Sequence, residues 1–212
     1  MTRVTKRTAT SYTVLGLLAL GPKTGYELVQ GYARSIGQIS SRSDAVLYNE
    51  PKRLMKDGLV TAVDQPRGKR TLAVYSITDT GTDVLRQWLI EPPTFPVLEA
   101  DPIIRAVFSD FIELDRLRDT ITAFRTEAEA RRNVLADIGE SYLATQGLYQ
   151  ERMHIVTLSG RFVGFLIQAY IDWCDWTLTS LDNWPDDDQG RHEWARTAMQ
   201  QYLHDIGRSP QG

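Results

Sequence analysis

Apolar residues in the first ninety positions come in short bursts punctuated by glycine and proline, whereas after residue 114 they recur in steps of three and four over two long stretches. The first burst, Val14, Leu15, Leu17 and Leu18, has helical spacing; Ser11 stands as its cap, and Gly21-Pro22 ends it. A second helix is predicted from near Thr24 to Ser35, carrying Tyr26, Leu28, Val29 and Tyr32 and stopping near Gly37. A third starts at Ser43, with Val46, Leu47, Leu54 and Met55 as its buried positions and Gly58 as its stop. Pro51 falls inside it. A proline there removes one backbone donor and crowds the preceding turn, at about 3 kcal/mol. The pattern therefore predicts a break near Asn49, with one piece from Ser43 to Tyr48 and a second, capped by Asn49, from Glu50 to Asp57.

Downstream the period changes. Leu59 to Asp64 and Thr71 to Ile77 are rich in Val, Thr, Leu and Tyr, and Pro66-Arg67-Gly68-Lys69-Arg70 between them has turn chemistry, so the two runs predict a β-hairpin. Thr78 caps a fourth helix running through Trp88 and Leu89 to Pro92-Pro93. Closely spaced helices followed by a hairpin define a winged helix-turn-helix, placed at residues 1–92.

Residues 93–212 predict a helical domain. Leu114, Leu117, Ile121, Phe124, Ala128, Arg131, Leu135, Ile138 and Tyr142 trace the seam of a coiled coil, broken only at Arg131. A second helix, roughly Glu151 to Leu181, supplies Ile155, Leu158, Phe162, Phe165, Leu166, Ala169, Trp173 and Trp176. The two are expected to pack antiparallel, with shorter helices near Asp101 to Phe111 and His192 to Ile206. The fold class is mainly α with a small β-hairpin: a winged helix-turn-helix domain followed by an α-helical dimerisation domain. Leu114, Leu117, Ile121, Phe124, Leu135, Ile138 and Leu158 are the residues expected to join two copies into a homodimer. Phe162, Phe165, Trp173 and Trp176 are aromatics on which a small aromatic or hydrophobic effector could stack, although rings at helical spacing more often pack as core.

Charge sharpens the division. The net charge of −3 splits into 13 Lys/Arg against 8 Asp/Glu in residues 1–92, and 11 against 19 in the remainder. Positive potential confined to the winged half, preceded by a basic arm with Arg3, Lys6 and Arg7, suits double-stranded DNA. The segment Ser40 to Tyr48, with Ser41, Arg42, Ser43, Asp44 and Tyr48, is expected in the major groove, flanked by Tyr26. Lys52 and Arg53 are expected near phosphates, and Arg67, Lys69 and Arg70 at the adjacent backbone or minor groove. Asp44 and Glu50 oppose this unless they cap a helix or accept from a cytosine amine. A winged-helix adaptor that binds protein instead would scatter the same cations.

Other chemistries have weaker support. His154, His192 and His204 lack the spacing of a helical metal pair, and Cys174 has no Cys or His at ligand distance in sequence, so neither a metal nor another cofactor is expected. Asp186-Asp187-Asp188 reads as an acidic solvated loop. No phosphate loop or nucleophile elbow suggests an enzyme. No apolar run was expected to approach the roughly 20 residues that span a bilayer, and the single cysteine cannot pair within the chain, so the reading is a cytoplasmic protein with no membrane contact.

Taken in order, Leu15-Gly16-Leu17-Leu18, Gly21-Pro22, Gly25-Tyr26-Glu27, Leu47-Tyr48, Lys52-Arg53-Leu54, Gly58-Leu59 and Tyr75-Ser76-Ile77-Thr78-Asp79-Thr80-Gly81 resemble the PadR family of transcriptional regulators over roughly residues 11 to 90. The resemblance implies a homodimeric regulator, usually a repressor, whose winged domains bind a pseudo-palindromic operator and whose C-terminal helices dimerise and often sense a small molecule. Three positions depart from the family pattern: Thr24 where His is common, Asn49 where Pro is common, and Pro51 where Leu is common.

Overall fold

Thr8 opens the first helix of the computed structural model, which describes residues 7–35, 37, 42–67, 70–97 and 100–207. Helix α1 (Ala9–Ala19) begins with a capping box in which the Ser11 amide donates to Thr8 Oγ1 at 3.3 Å and the Thr8 amide donates to Ser11 Oγ at 3.0 Å. The cap is therefore Thr8, and Ser11, expected in that role, is the reciprocal partner one turn on. Its burial against α1's neighbours explains the difference: Ser11 is fully inside. Strand β1 (Lys23–Thr24) leads into α2 (Gly25–Ser35), whose start is closed by a second reciprocal pair, Thr24 with Glu27.

Helix α3 spans Asp44–Lys56 without the expected break. Leu47, Pro51 and Leu54 fall at i, i+4 and i+7, and all three are buried. Pro51 takes a core seat, and the apolar area it removes from water offsets the one backbone bond it deletes. Val46 and Met55, predicted to be inside, lie off this stripe and are exposed. The helix ends in a Schellman motif: the Leu59 amide donates to the Leu54 carbonyl and the Gly58 amide to Met55, both at 3.0 Å, with Gly58 at φ +73°.

Strands β2 (Val60–Arg67) and β3 (Arg70–Ile77) pair antiparallel from Val60–Ile77 to Arg67–Arg70, and β1 adds to the other side of β3. The pairing runs through Pro66, predicted as turn. This is tolerated because β2 is an edge strand, where a missing amide need not face a neighbour. Helix α4 (Asp79–Ile90) is capped by Thr78, which accepts from the Gly81 amide at 3.0 Å and donates to the Gly58 carbonyl at 2.9 Å. The core collects Val14, Leu15, Leu18, Leu28, Leu47, Leu54, Leu59 and Tyr75, and Tyr12 stacks on Trp88 at 4.4 Å.

The chain divides into two compact units, residues 1–97 and 98–212. The second opens with α5 (Asp101–Val107) and a 3₁₀ turn at Ser109–Phe111, followed by α6 (Leu114–Leu143), a 3₁₀ turn at Gln150–Arg152, α7 (Met153–Asp182) and α8 (Asp188–Asp205). The α6–α7 turn closes on Tyr142, whose hydroxyl donates to the Leu148 carbonyl and whose ring leaves no room for a side chain at 147. Asp187, read as solvated loop, caps α8 by accepting from the Gly190 amide at 2.8 Å.

Helices α6 and α7 pack along their length, as the two periodic stretches imply, and Arg125 and Arg118 of α6 pair with Asp175 and Asp182 of α7. The face that α7 turns inward differs from the predicted seam. Val163, Ile167, Ile171, Cys174 and Leu181 are buried, one position on from Phe162, Leu166 and Trp173, a rotation of about 100°. Leu158, Phe162, Phe165 and Trp176 are left more than half exposed. Helix α7 carries apolar residues on two faces, and their spacing alone offers no signal for which one its neighbour takes. On α6, Leu117 and Ile121 are buried within the chain, Phe124 and Leu135 are partly buried in the same interior, and Arg131 is in water, paired with Glu127 at 2.9 Å.

By length and composition the segment Gln150–Asp182 could cross a bilayer, which corrects the expectation that no run approaches that length. Its neighbour α6 carries eleven charged residues, however, and a bilayer core would not accept them.

A methyl group at Gly81 would stand 2.2 Å from the Leu59 carbonyl oxygen, a backbone atom already held by the Thr78 amide. Gly81→Ala is expected to destabilise the winged unit by about 1–3 kcal/mol, read as a lower thermal midpoint; an unchanged midpoint would show that α4 shifts freely.

Candidate nucleic-acid interface

With Leu47, Pro51 and Leu54 turned inward, α3 presents Ala45, Tyr48, Asn49, Lys52 and Lys56 to solvent at i, i+3, i+4, i+7 and i+11. Rotation about the helix axis is held by a polar clasp to α1. Arg53 Nε donates to Glu50 Oε2 at 3.0 Å, and its Nη2 donates to Glu50 Oε1 at 2.5 Å and to Ser11 Oγ at 2.6 Å. Glu50 is 8% exposed. Burial pushes its carboxyl up, but hydrogen bonds from Arg53 and Ser11 and the guanidinium charge outweigh it and hold the carboxyl below the ordinary carboxylate range. The hydrogen bond to Glu50 in turn raises the Arg53 guanidinium.

Arg53, expected near phosphates, thus directs these donors inward. Among the described residues Lys52 and Lys56 have no ion pair and leave their charges available. Tyr48 sits against Gly25, where an added methyl would come within 2.8 Å of its ring. Tyr26, Tyr48 and Lys52 converge on a concavity of about 430 Å³ floored by Ala73 and Tyr75 of β3. Arg42 is exposed and donates from Nε to Thr10 Oγ1 at 3.2 Å. Ser43 occupies the cap position of α3 without a side-chain bond, and exposed Asp44 lies in the first turn, where the helix dipole favours a negative charge. Ser41 and Lys69, with Arg3 and Lys6 of the arm, lie outside the described residues, as do the side chains of Arg67 and Arg70. Asn49 and Lys56, which the sequence pattern did not single out, share this exposed face. The signal for both was the continuation of the helix through Pro51, which the expected break concealed.

In the second unit the four effector candidates separate. Trp173 packs edge-on against Phe124 at 6.4 Å, inside the α6–α7 core. Trp176 lies 6.1 Å from Trp194 and lines an open groove of about 530 Å³ with Met199 and Tyr202 of α8. Phe162 and Phe165 are exposed elsewhere on α7, with Arg161 4.7 Å above the Phe165 ring. Cys174 is fully buried, and burial with the Asp175 charge beside it pushes its thiol up. No group of three His, Cys, Asp or Glu that could hold a metal ion occurs among the described residues.

A three-helix core, a hairpin and an exposed third helix define a winged helix-turn-helix protein. The family model described as "Transcriptional regulator PadR-like family" matches residues 14–87, and that of the virulence activator alpha C-terminal region matches residues 101–182. A curated relative, the negative transcriptional regulator PadR of Bacillus subtilis, is 28% identical over 132 residues, 62% of this chain and 71% of the relative. Solved structures of Bacillus subtilis PadR in complex with operator DNA (TM-score 0.71, 23% identity, 82% of this chain and 99% of that one) and with p-coumaric acid (0.65, 22%, 83% and 100%) share the fold. So does the Vibrio cholerae virulence activator AphA (0.66, 24%, 82% and 98%). The winged unit, over residues 14–87, thus matches the PadR-like family of transcriptional regulators.

Because the Glu50 carboxyl titrates below its unfolded value, its stabilisation is fully present above the ordinary Glu range and is lost as pH falls through the lowered value. Glu50→Gln is expected to lower stability at pH 7 by about 1–2 kcal/mol, a figure reduced because Arg53 is partly in water. The variant should also show a shallower acid limb below about pH 4.3 in thermal melts across pH; an acid limb identical to that of the parent would refute the clasp.

Proposed function

We propose that the chain is a homodimeric repressor acting in the cytoplasm, binding a pseudo-palindromic operator in double-stranded DNA and released from it by a small aromatic or hydrophobic effector. The observation that carries this reading is the convergence of Tyr26, Tyr48 and Lys52 on one concavity, beside a helix face whose two lysines have no ion pair among the described residues. Such a face fits the major groove, with Lys52 and Lys56 at the phosphates and the Arg67–Arg70 wing alongside. The segment that enters the groove begins at Ser41, Arg42 and Ser43. Relatives that bind operator DNA or p-coumaric acid support the partner classes.

The dimer reading rests on the outer face of α7. Leu158, Phe162, Phe165 and Trp176 form an apolar stripe that water solvates poorly, and a second copy would cover it. Interface residues are then expected on this face, with Leu158 among them, and Leu117 and Ile121 kept to the protomer interior. The effector reading moves to the groove of Trp176, Trp194, Met199 and Tyr202, whose size and apolar lining suit an aromatic molecule. Activation in place of repression is a second reading, favoured by the match of residues 101–182 to a region named for virulence activators; a reporter fused to the chain's own promoter separates the two by the sign of the response.

The first test is titration against promoter DNA and an unrelated duplex at several salt concentrations. Lys52→Ala is expected to weaken binding to both and to lower the magnitude of the log K against log salt slope by about 0.9; an unchanged slope removes Lys52 from the phosphates. For the dimer, Phe165→Glu should shift sedimentation toward the monomer without unfolding the chain, and a variant that still sediments as the parent would place the interface elsewhere.

A further inference from the structure

Among the outward residues of α3, the lysines suit phosphates or guanine, whereas reading an adenine calls for a neutral side chain that both donates and accepts. We infer that Asn49 is that group, selecting an adenine in the major groove; the inference rests on the DNA-binding reading above. Asn49 lies mid-helix on the exposed face, and its amide has no hydrogen-bond partner among the described residues. That is informative, because an asparagine inside a helix commonly turns its side chain back to the backbone, and this one does not. A planar amide with donor and acceptor both free matches the N6 donor and N7 acceptor that adenine alone presents side by side in the major groove.

Its neighbours fit the same role. Ala45, one turn earlier on the same face, places a methyl group where a thymine methyl can pack. Tyr48, against Gly25, turns to the adjoining concavity, and Lys52, one turn after Tyr48, supplies charge beside the amide. Asp44 is repelled by the phosphates and Glu50 is buried in the clasp with Arg53, which leaves Asn49 as the neutral hydrogen-bonding side chain at the middle of this face.

The test selects bound duplexes from a randomised pool with the full chain and with Asn49→Ala, followed by titrations on the selected sequence. The parent should enrich one adenine in each half-site and prefer it to guanine by about 5- to 150-fold. Asn49→Ala should lose that preference while keeping its thermal midpoint and its salt slope, and 7-deazaadenine at the position should weaken the parent and leave the variant unaffected. Enrichment by Asn49→Ala of the same bases as the parent overturns the assignment. Salt-independent indifference of both proteins to every duplex overturns it together with the DNA-binding reading, and is recognised by the parent's failure.

Discussion

The winged unit depends on the bonds between Arg53, Glu50 and Ser11, because they set how far α3 is turned about its own axis. Hydrophobic burial alone holds Leu47, Pro51 and Leu54 against the core, but apolar contacts are non-directional and permit small rotations. A guanidinium with donors to one carboxylate and one hydroxyl is directional. A residue on α1 therefore governs which side chains of α3 meet the solvent, and Ser11 serves both the capping box of its own helix and the orientation of another.

The second unit solves a different problem with similar means. Helix α7 has more apolar surface than one neighbour can cover, so direction comes from ions at its rim: Arg125 with Asp175 and Arg118 with Asp182 choose which face α6 takes. What remains outside is a stripe rich in aromatic and branched side chains. In both units one side of a helix is assigned to the interior and the other left to solvent, and polar contacts make the assignment.

Much of this architecture was legible in the residues, since many glycines and capping residues mark helix ends through local chemistry alone. The Thr78 cap, the Gly58 stop and the start of α6 at Leu114 fall where local chemistry demands. The misreadings arose where tertiary context overrides local preference. Pro51 looks like a breaker until the core seat it fills is visible, and treating it as one hid Asn49 and Lys56. Arg53 looks like a phosphate ligand until Glu50, three residues earlier, is found buried beside it. For α7 apolar periodicity was present on two faces, so the spacing of its apolar residues could not choose between them.

The position of Cys174 has a practical consequence. The chain's only thiol has no exposed surface and is held in its protonated, unreactive form by its surroundings. A cysteine placed on the solvent side of α3 or α7 would be the single site open to maleimide chemistry in the folded protein. Dyes or spin labels could then be attached one per chain, at a chosen position on either unit, without first removing a native residue.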